Sequence, residues 1–228
     1  MRISNTPGVL TDATADQAWA LLFAAARRTV ESDGFMRTGQ WAGWGPMQFL
    51  GQDITGRTLG IVGAGRIGAN FALKSIGFRM KVLYTDQVAN AELEKQLDAK
   101  KVELGQLLKE SDFVSVHVPL MPQTTHLIGE RELALMKPSA VLINTSRGPI
   151  VDEKALVRAL KEKQIAAAGL DVYEEEPQAA PGLADLPNVV MCPHVASATI
   201  ETRTKMALMA AENLLAVLKG KEPANAVV

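Results

Sequence analysis

The sequence predicts an α/β fold built on a doubly wound parallel sheet, and the order of its apolar segments carries this prediction. Short runs that are apolar throughout alternate with segments of helical periodicity over most of the chain. A strand that is apolar at every position is typical of a parallel sheet whose two faces are both covered by helices. The predicted strands are TLGIVG, KVLYTD, DFVSVHVPL, AVLINTS, AAAGLDV and NVVMCPH.

The predicted helices fall between these strands and at both ends of the chain. A capping box from Thr14 to Gln17, followed by apolar residues at helical spacing, predicts a first helix that stops near Gly34. The segment 37–56 is rich in Gly and Trp without clear periodicity, which predicts an arm or loop. A last amphipathic helix is expected over 200–218. Between the strands, helical patterning is found in RIGANFALKSIG, AELEKQLDA, LGQLLKES, ERELALM and DEKALVRALKEK.

The composition is that of an ordinary globular protein with a small molecule as its partner. Of the 228 residues, 47% are hydrophobic and 21% are charged, which is enough for a sizeable core. The 24 basic residues nearly balance the 25 acidic ones without a basic block, so we expect neither nucleic-acid nor membrane binding. The single cysteine, Cys192, excludes an internal disulfide and a zinc cluster, so no metal site is predicted. Together with the lack of a signal-peptide pattern, it favours a cytoplasmic location.

The first chemical motif is LGIVGAGRIGANFA, which places Gly63, Gly65 and Gly68 in G-x-G-x-x-G spacing between a predicted strand and a predicted helix. In a dinucleotide fold these glycines allow a tight turn, close approach to a pyrophosphate, and helix-to-strand packing, respectively. The next strand ends at Asp86, where an acid accepts hydrogen bonds from the adenosine ribose and repels a 2'-phosphate. We therefore predict binding of NAD(H) in preference to NADP(H). A plain tight turn and a surface aspartate without a ligand are the alternatives.

Three later motifs make a family resemblance specific. LINTSRGPIVDEKAL, GLDVYEEEP and CPHVASAT follow the glycine motif in that order, and together they resemble the NAD-dependent D-2-hydroxyacid dehydrogenase family. The segments NTPGVLTDATAD and HVPLMPQTTHLIG are similar to its glyoxylate/hydroxypyruvate reductase branch. The resemblance extends from about Asn5 to the C-terminus. It implies that Arg147 binds the substrate, that His194 is the catalytic acid/base, and that Glu176 is its carboxylate partner.

Elementary chemistry is consistent with these three roles. Reduction of a 2-keto acid needs a cation for the carboxylate, and the planar fork of Arg147 provides one. It also needs a proton for the developing alkoxide, which a histidine donates near neutral pH when a carboxylate such as Glu176 orients it. Each residue follows a predicted strand, so all three can converge at the carboxyl edge of the sheet. A surface ion pair for Arg147 and a structural role for His194 remain the alternatives.

The resemblance implies further cofactor contacts. Arg66 and Ile67 are expected to give backbone donors to the pyrophosphate, and Asp171 is expected to bind the nicotinamide carboxamide. Simple loop or strand packing is the alternative for each of these residues. His117 is interpreted as a strand residue near the nicotinamide. The remaining residues expected along the cofactor are Pro119, Thr124, Thr145, Ser146, His194 and Ala196.

The resemblance also implies a departure at the front of the chain. Family members have a second, smaller substrate domain, built mostly from residues that precede the nucleotide-binding domain, and we expect it to be largely absent here. Residues 1–199 are then the NAD-binding domain with an N-terminal dimerisation helix and arm, and residues 200–228 a remnant helix of the substrate domain. An exposed apolar stripe on that helix is expected to repack or to join an interface. The stripe comprises Met206, Met209, Leu214 and Leu218.

Two functional hypotheses follow. The first is an oxidoreductase that transfers hydride from NADH to glyoxylate or hydroxypyruvate to give the D-2-hydroxy acid, with activity weakened because domain closure is lost. The second is an NAD(H)-binding remnant with little turnover that acts in sensing or partner binding. The resemblance implies a homodimer formed through the first helix and the arm. It also implies that an arm tryptophan, for which Trp44 is our candidate, reaches the neighbouring active site; an anchoring role in packing is the alternative.

Overall fold

The fold is a seven-stranded parallel sheet with helices on both faces, seen in a computed structural model that describes residues 2–227. The strand order is β3-β2-β1-β4-β5-β6-β7, and every neighbouring pair is parallel. This confirms the predicted doubly wound α/β class. The strands are β1 Thr58–Val62, β2 Lys81–Thr85, β3 Lys100–Lys101, β4 Phe113–Val116, β5 Val141–Asn144, β6 Ala167–Leu170 and β7 Val189–Met191. The helices are α1 Thr11–Ala26, α2 Thr29–Arg37, α3 Arg66–Leu73, α4 Ala91–Leu97, α5 Leu104–Glu110, α6 Glu130–Leu135, α7 Glu153–Lys161 and α8 Ile200–Leu218.

All six predicted strands are present, and β3 is an addition that sequence patterning misses. It consists of only two lysines, both exposed, that pair with Leu83 and Tyr84 of β2. An exposed two-residue edge strand has no apolar run to reveal it. Segment 37–56 contains no strand and, apart from the end of α2 at Arg37, no helix, in agreement with the predicted arm.

The prediction for the first helix is wrong in two details. Helix α1 begins at Thr11 rather than behind a cap at Thr14, which is buried inside the first turns and makes no cap. Its N–H donates to the carbonyl of Leu10 at 3.0 Å. The helix also ends at Ala26, because Arg28 adopts a left-handed conformation with φ of 52° before α2 begins. Gly34 therefore lies inside α2 instead of ending the first helix.

Two apolar clusters cover the two faces of the sheet, as alternation along buried strands requires. Within β5, Val141 and Ile143 face the cluster that includes α1 and α3, whereas Leu142 faces the cluster that includes α5, α6 and α7. Trp19 joins α1 to α3, since its indole N–H donates to the carbonyl of Phe71 at 3.0 Å and the two rings stack at 4.8 Å. Together, these contacts hold the glycine-containing turn between β1 and α3.

Helix α8 has its predicted span, but much of its apolar surface remains exposed to solvent. Buried Asn213 donates to the carbonyl of Asn5, and a β-bridge joins Ser4 to Ala226, so both ends of the chain meet on this helix. Of the predicted apolar stripe, Met206 and Met209 are partly buried. The leucines at 208, 214, 215 and 218 stay 51 to 73% exposed. Within residues 2–227, no helix combines the length and apolar character needed to cross a membrane.

Candidate active site

The candidate site lies where the carboxyl ends of the parallel strands meet. The chain runs from β1 outward to β2 and β3, then returns to β4 on the other side of β1. Such a reversal of strand order opens a crevice in which open α/β sheets bind their ligands. The glycine turn follows β1, and the predicted catalytic residues follow β5, β6 and β7.

The three glycines of the motif have three different surroundings. Gly63 has φ of 96°, and a β-carbon placed on it would lie 2.7 Å from the backbone nitrogen of Val118. A β-carbon on Gly68 would lie 2.0 Å from the carbonyl oxygen of Gly63, so α3 packs directly on the turn. A β-carbon on Gly65 would meet no heavy atom within 4 Å. The first and third glycines are thus needed by the fold, whereas the second leaves open space above the N-terminus of α3, which fits a pyrophosphate.

Asp86 lies at the end of β2, and its carboxylate reaches back to the glycine turn. It accepts the N–H of Ala64 at 2.7 Å and that of Gln87 at 2.7 Å. Asn90 donates to the carbonyl of Ala64 at 2.9 Å, so both backbone groups of Ala64 are paired. Lys101 of β3 donates to the carbonyl of Gln87 at 3.0 Å, which brings a cation to the acidic end of β2 that the sequence did not reveal.

The loop after β5 presents Arg147 to solvent. Buried Asn144 organises the loop, because its Oδ1 accepts the N–H and the hydroxyl of Ser146 while its Nδ2 donates to the carbonyl of Arg147. A β-carbon on Gly148 would lie 1.9 Å from the backbone of Tyr173. The Arg147 loop and the loop after β6 are therefore in backbone contact, which leaves no room for a side chain between them.

His194 and Glu176 form a hydrogen-bonded pair. Nδ1 of His194 lies 2.9 Å from Oε2 and 3.1 Å from Oε1 of Glu176, and the N–H of Tyr173 donates to Oε1 at 3.2 Å. Desolvation acts to raise the pKa of Glu176, but the bonds from His194 and Tyr173 and the charge of Arg147 together lower it below its ordinary value. The charge of Arg147 makes the smallest of these contributions, and among residues 2–227 its guanidinium bonds to the carbonyl of Ser146 rather than to Glu176 or His194. A cavity of about 480 Å³ opens beside Glu176 and His194.

Asp171 performs a task that the sequence did not predict. It is fully buried, and its two carboxylate oxygens accept the N–H groups of Val195 and Ala196 at 2.8 and 2.7 Å. These bonds fix the backbone directly after His194, which has φ of 55°. Contact of Asp171 with a nicotinamide carboxamide stays a prediction.

The remaining predicted positions follow the carboxyl ends of β1, β4 and β5. The hydroxyl of Thr124 donates to the carbonyl of Pro119 at 2.6 Å and accepts the N–H of Met121 at 2.8 Å, so it closes the turn after β4. Among the described residues, the hydroxyl of Thr145 is buried and has no hydrogen-bond partner, and its contact with the nicotinamide stays a prediction. Arg66 and Ile67 open α3, so their N–H groups belong to its first turn.

The other two histidines are separate from the His194 pair. His117 follows β4, with Nε2 2.8 Å from the hydroxyl of Ser115, and desolvation lowers its pKa to about 3. It is therefore neutral near pH 7 and is unsuited to donate a proton as an imidazolium. His126 bonds to Glu174 on the loop before Glu176. Within residues 2–227, no cluster of three His, Cys, Asp or Glu side chains is placed to bind a metal ion.

The site combines a glycine turn at a strand-order reversal with an acid at the end of the second strand. An Arg, a Glu and a His lie at the same edge of the sheet. Together, these features define a nicotinamide-dinucleotide-dependent oxidoreductase. A comparison with protein families identifies residues 19–196 as the NAD binding domain of D-isomer specific 2-hydroxyacid dehydrogenases. The chain belongs to this family.

Curated relatives and solved structures agree with this assignment. The glyoxylate reductase of Thermococcus litoralis is 56% identical over 229 residues, which cover 99% of this chain and 69% of that protein. The glyoxylate reductase of Korarchaeum cryptofilum is 56% identical over 227 residues, or 99% of this chain and 68% of that one. The crystal structure of a glyoxylate reductase from Paecilomyes thermophila superposes with a TM-score of 0.89 at 41% identity, over 100% of this chain and 68% of that chain.

Proposed function

We propose that this protein reduces a small 2-keto acid, glyoxylate or hydroxypyruvate, to the D-2-hydroxy acid with NADH. The observation that carries the proposal is the paired His194 and Glu176, with the charge of Arg147 acting on the same carboxylate. The names of the relatives from Thermococcus litoralis and Korarchaeum cryptofilum favour glyoxylate as the first substrate to test.

The three side chains divide the reaction between them. Arg147 is exposed at the crevice and engages the substrate carboxylate with its planar guanidinium. Nε2 of His194 is directed away from Glu176 and donates the proton to the alkoxide oxygen. Glu176 fixes the ring and stabilises its charged form. The bound reduced nicotinamide supplies the hydride.

The test is a steady-state assay of cofactor oxidation with glyoxylate, beside Arg147→Ala and Arg147→Lys. We expect kcat/KM of Arg147→Ala to fall at least about a hundred-fold, since bidentate, charge-assisted hydrogen bonds are lost. The lysine variant keeps the charge but not the fork, and it should lie between wild type and alanine. If wild type and Arg147→Ala are equally inactive while NADH still binds, the enzyme proposal is refuted and the binding-module alternative stands.

We further propose that NADH is preferred over NADPH. Asp86 supports this preference, because its carboxylate sits at the end of β2 and would repel a 2'-phosphate. Asp86→Ser should lower the NADH to NADPH ratio of kcat/KM, whereas Asp98→Ser, which changes an acid after α4, should leave it unchanged. An unaltered ratio in Asp86→Ser contradicts the assignment.

A homodimer through α1, α2 and the arm is also part of the proposal, with Trp44 reaching the partner's active site. The arm carries large apolar side chains in water: Trp44 is 84% exposed and Met47 is 77% exposed. Exposed apolar surface of this kind usually marks an interface. Sedimentation velocity at micromolar concentration should give a dimer, and Trp44→Ala should raise KM for glyoxylate. A monomeric wild type would refute the dimer.

A further inference from the structure

Segment 174–180, which carries Glu176, is tied at both ends to one buried carboxylate. Oε1 of Glu153 accepts the N–H of Glu174 at 2.7 Å, and Oε2 accepts the N–H of Ala180 at 2.8 Å. Glu153 is the first residue of α7 and only 3% exposed. From the sequence alone, Glu153 is indistinguishable from an ordinary acidic residue in the first turn of a helix.

A second hydrogen bond joins Glu153 and Glu174, with the roles of donor and acceptor exchanged. The N–H of Glu153 donates to Oε2 of Glu174 at 3.0 Å. The first N–H groups of a helix have no partner within the helix, so this bond satisfies one of them. The other carboxylate oxygen of Glu174 bonds to His126. The start of α7 and the start of the segment therefore hold each other.

The middle of the segment is closed on itself. The N–H of Gln178 donates to the carbonyl of Glu175 at 2.8 Å, which forms a turn with Glu176 and Pro177 at its centre. With the turn closed and both flanks anchored, the backbone of Glu176 has little freedom to move. Its side chain is then directed at Nδ1 of His194, as the 2.9 Å contact shows.

The charge of Glu153 makes its position unusual. Among residues 2–227, no lysine, arginine or histidine forms an ion pair with it. Desolvation, with the nearby carboxylates of Glu174 and Glu176, raises the pKa of Glu153, while the two backbone N–H bonds act to lower it. A buried carboxylate without a cation is costly unless donors surround it. Only a carboxylate accepts at both oxygens, whereas an amide of the same shape accepts at one and donates at the other.

We propose that Glu153 is a positioning residue for the reaction: it sets Glu176 against His194 by holding both ends of segment 174–180. This inference rests on the proposed reduction of a 2-keto acid. Glu153 itself contacts neither His194 nor Arg147 within hydrogen-bond distance. It acts through the backbone of the segment.

The test compares Glu153→Gln with Asp152→Asn. The glutamine keeps the shape of the side chain but leaves the N–H of Glu174 or of Ala180 without an acceptor. Asp152 is the neighbouring acid, and it caps α7 through Ala155 at 2.9 Å without bonding to the segment. Asparagine caps equally well, so Asp152→Asn controls for the loss of a charge at the same helix terminus.

In Glu153→Gln, kcat with glyoxylate should fall about ten- to hundred-fold, because a small misplacement of a reacting group is expensive. KM should change little, since Arg147 and its loop are not altered. The NMR resonance of the Nδ1 proton of His194 should lie at lower chemical shift than in wild type, because the hydrogen bond between Nδ1 and Glu176 is loosened. Asp152→Asn should match wild type in all three quantities.

Equal kcat and an equal chemical shift of the His194 Nδ1 proton in Glu153→Gln and Asp152→Asn overturn the inference. The NMR measurement needs no turnover, so an inactive wild type refutes the proposed function without affecting this test. If Glu153→Gln does not fold, amide exchange in wild type decides the question. The N–H groups of Glu174 and Ala180 should exchange much more slowly than that of Glu175, and equal rates would overturn the inference.

Discussion

The two later glycines of the cofactor turn should separate fold stability from cofactor binding. Gly65 and Gly68 lie three residues apart, yet a β-carbon on Gly65 meets no heavy atom within 4 Å, and one on Gly68 lies 2.0 Å from the carbonyl oxygen of Gly63. The same change to alanine at the two positions is therefore a matched pair. One variant alters only the space above the turn, and the other alters the packing of α3.

The magnitudes follow from these distances. Ordinary contact begins at 3.4 Å, so Gly68→Ala must move α3 away from the turn by about 1.4 Å. Overpacking of this kind costs about 1–3 kcal/mol, and the backbone oxygen cannot rotate away, so we expect the upper end of that range. Gly65 has φ of −71° and ψ of −165°, which alanine adopts freely. Gly65→Ala should thus leave stability within about 1 kcal/mol of wild type.

Gly65→Ala, which should leave stability nearly unchanged, should weaken cofactor binding. A methyl group on residue 65 fills the space in which the pyrophosphate approaches the N-terminus of α3. Loss of one hydrogen bond to a charged group costs about 1.5–3 kcal/mol, which corresponds to NADH affinity about ten- to hundred-fold weaker. Urea denaturation measures the first quantity, and quenching of tryptophan fluorescence by NADH measures the second. Wild-type NADH affinity in Gly65→Ala, or wild-type stability in Gly68→Ala, would refute the reasoning.

Three further predictions concern the core, the loop contact and pH. Trp19→Ala should lower the free energy of unfolding by about 3–5 kcal/mol in urea, because a buried indole stacked on Phe71 is lost; a change below about 1 kcal/mol would contradict the packing between α1 and α3. Gly148→Ala should reduce kcat, since its methyl group would lie 1.9 Å from the Tyr173 backbone and separate the Arg147 and Glu176 loops; unchanged kcat in a stably folded variant argues against that contact. The pKa of Glu176 is lowered, so its stabilising bond to His194 is present above the unfolded-state pKa and lost as pH falls through the folded-state pKa. The acid limb of kcat should accordingly lie below pH 4.5, and circular dichroism at each pH shows whether unfolding intervenes.

Much of the fold could be predicted because it depends on local patterns. Six buried strands are recognisable as apolar runs, and the glycine spacing indicates a turn that only glycine permits at Gly63 and Gly68. The start of the first helix is predicted wrongly, because Thr14 and Gln17 have the residue types of a capping box but do not form one. In the fold, Thr14 is buried inside the helix, which begins at Thr11 instead.

The sequence by itself determined the family, the parallel α/β sheet, and Arg147, Glu176 and His194 as the proposed catalytic residues, because each depends on residues close together in the chain. Only the tertiary structure decided how the loops that carry these residues are held. Asp171 fixes the backbone after His194, Glu153 anchors both ends of the Glu176 segment, and Lys101 lies beside the acidic end of β2. These contacts arise when parallel strands bring their carboxyl ends to one edge of the sheet. Residues distant in sequence meet there by register, and hydrophobic periodicity carries no information about which polar side chains will face each other.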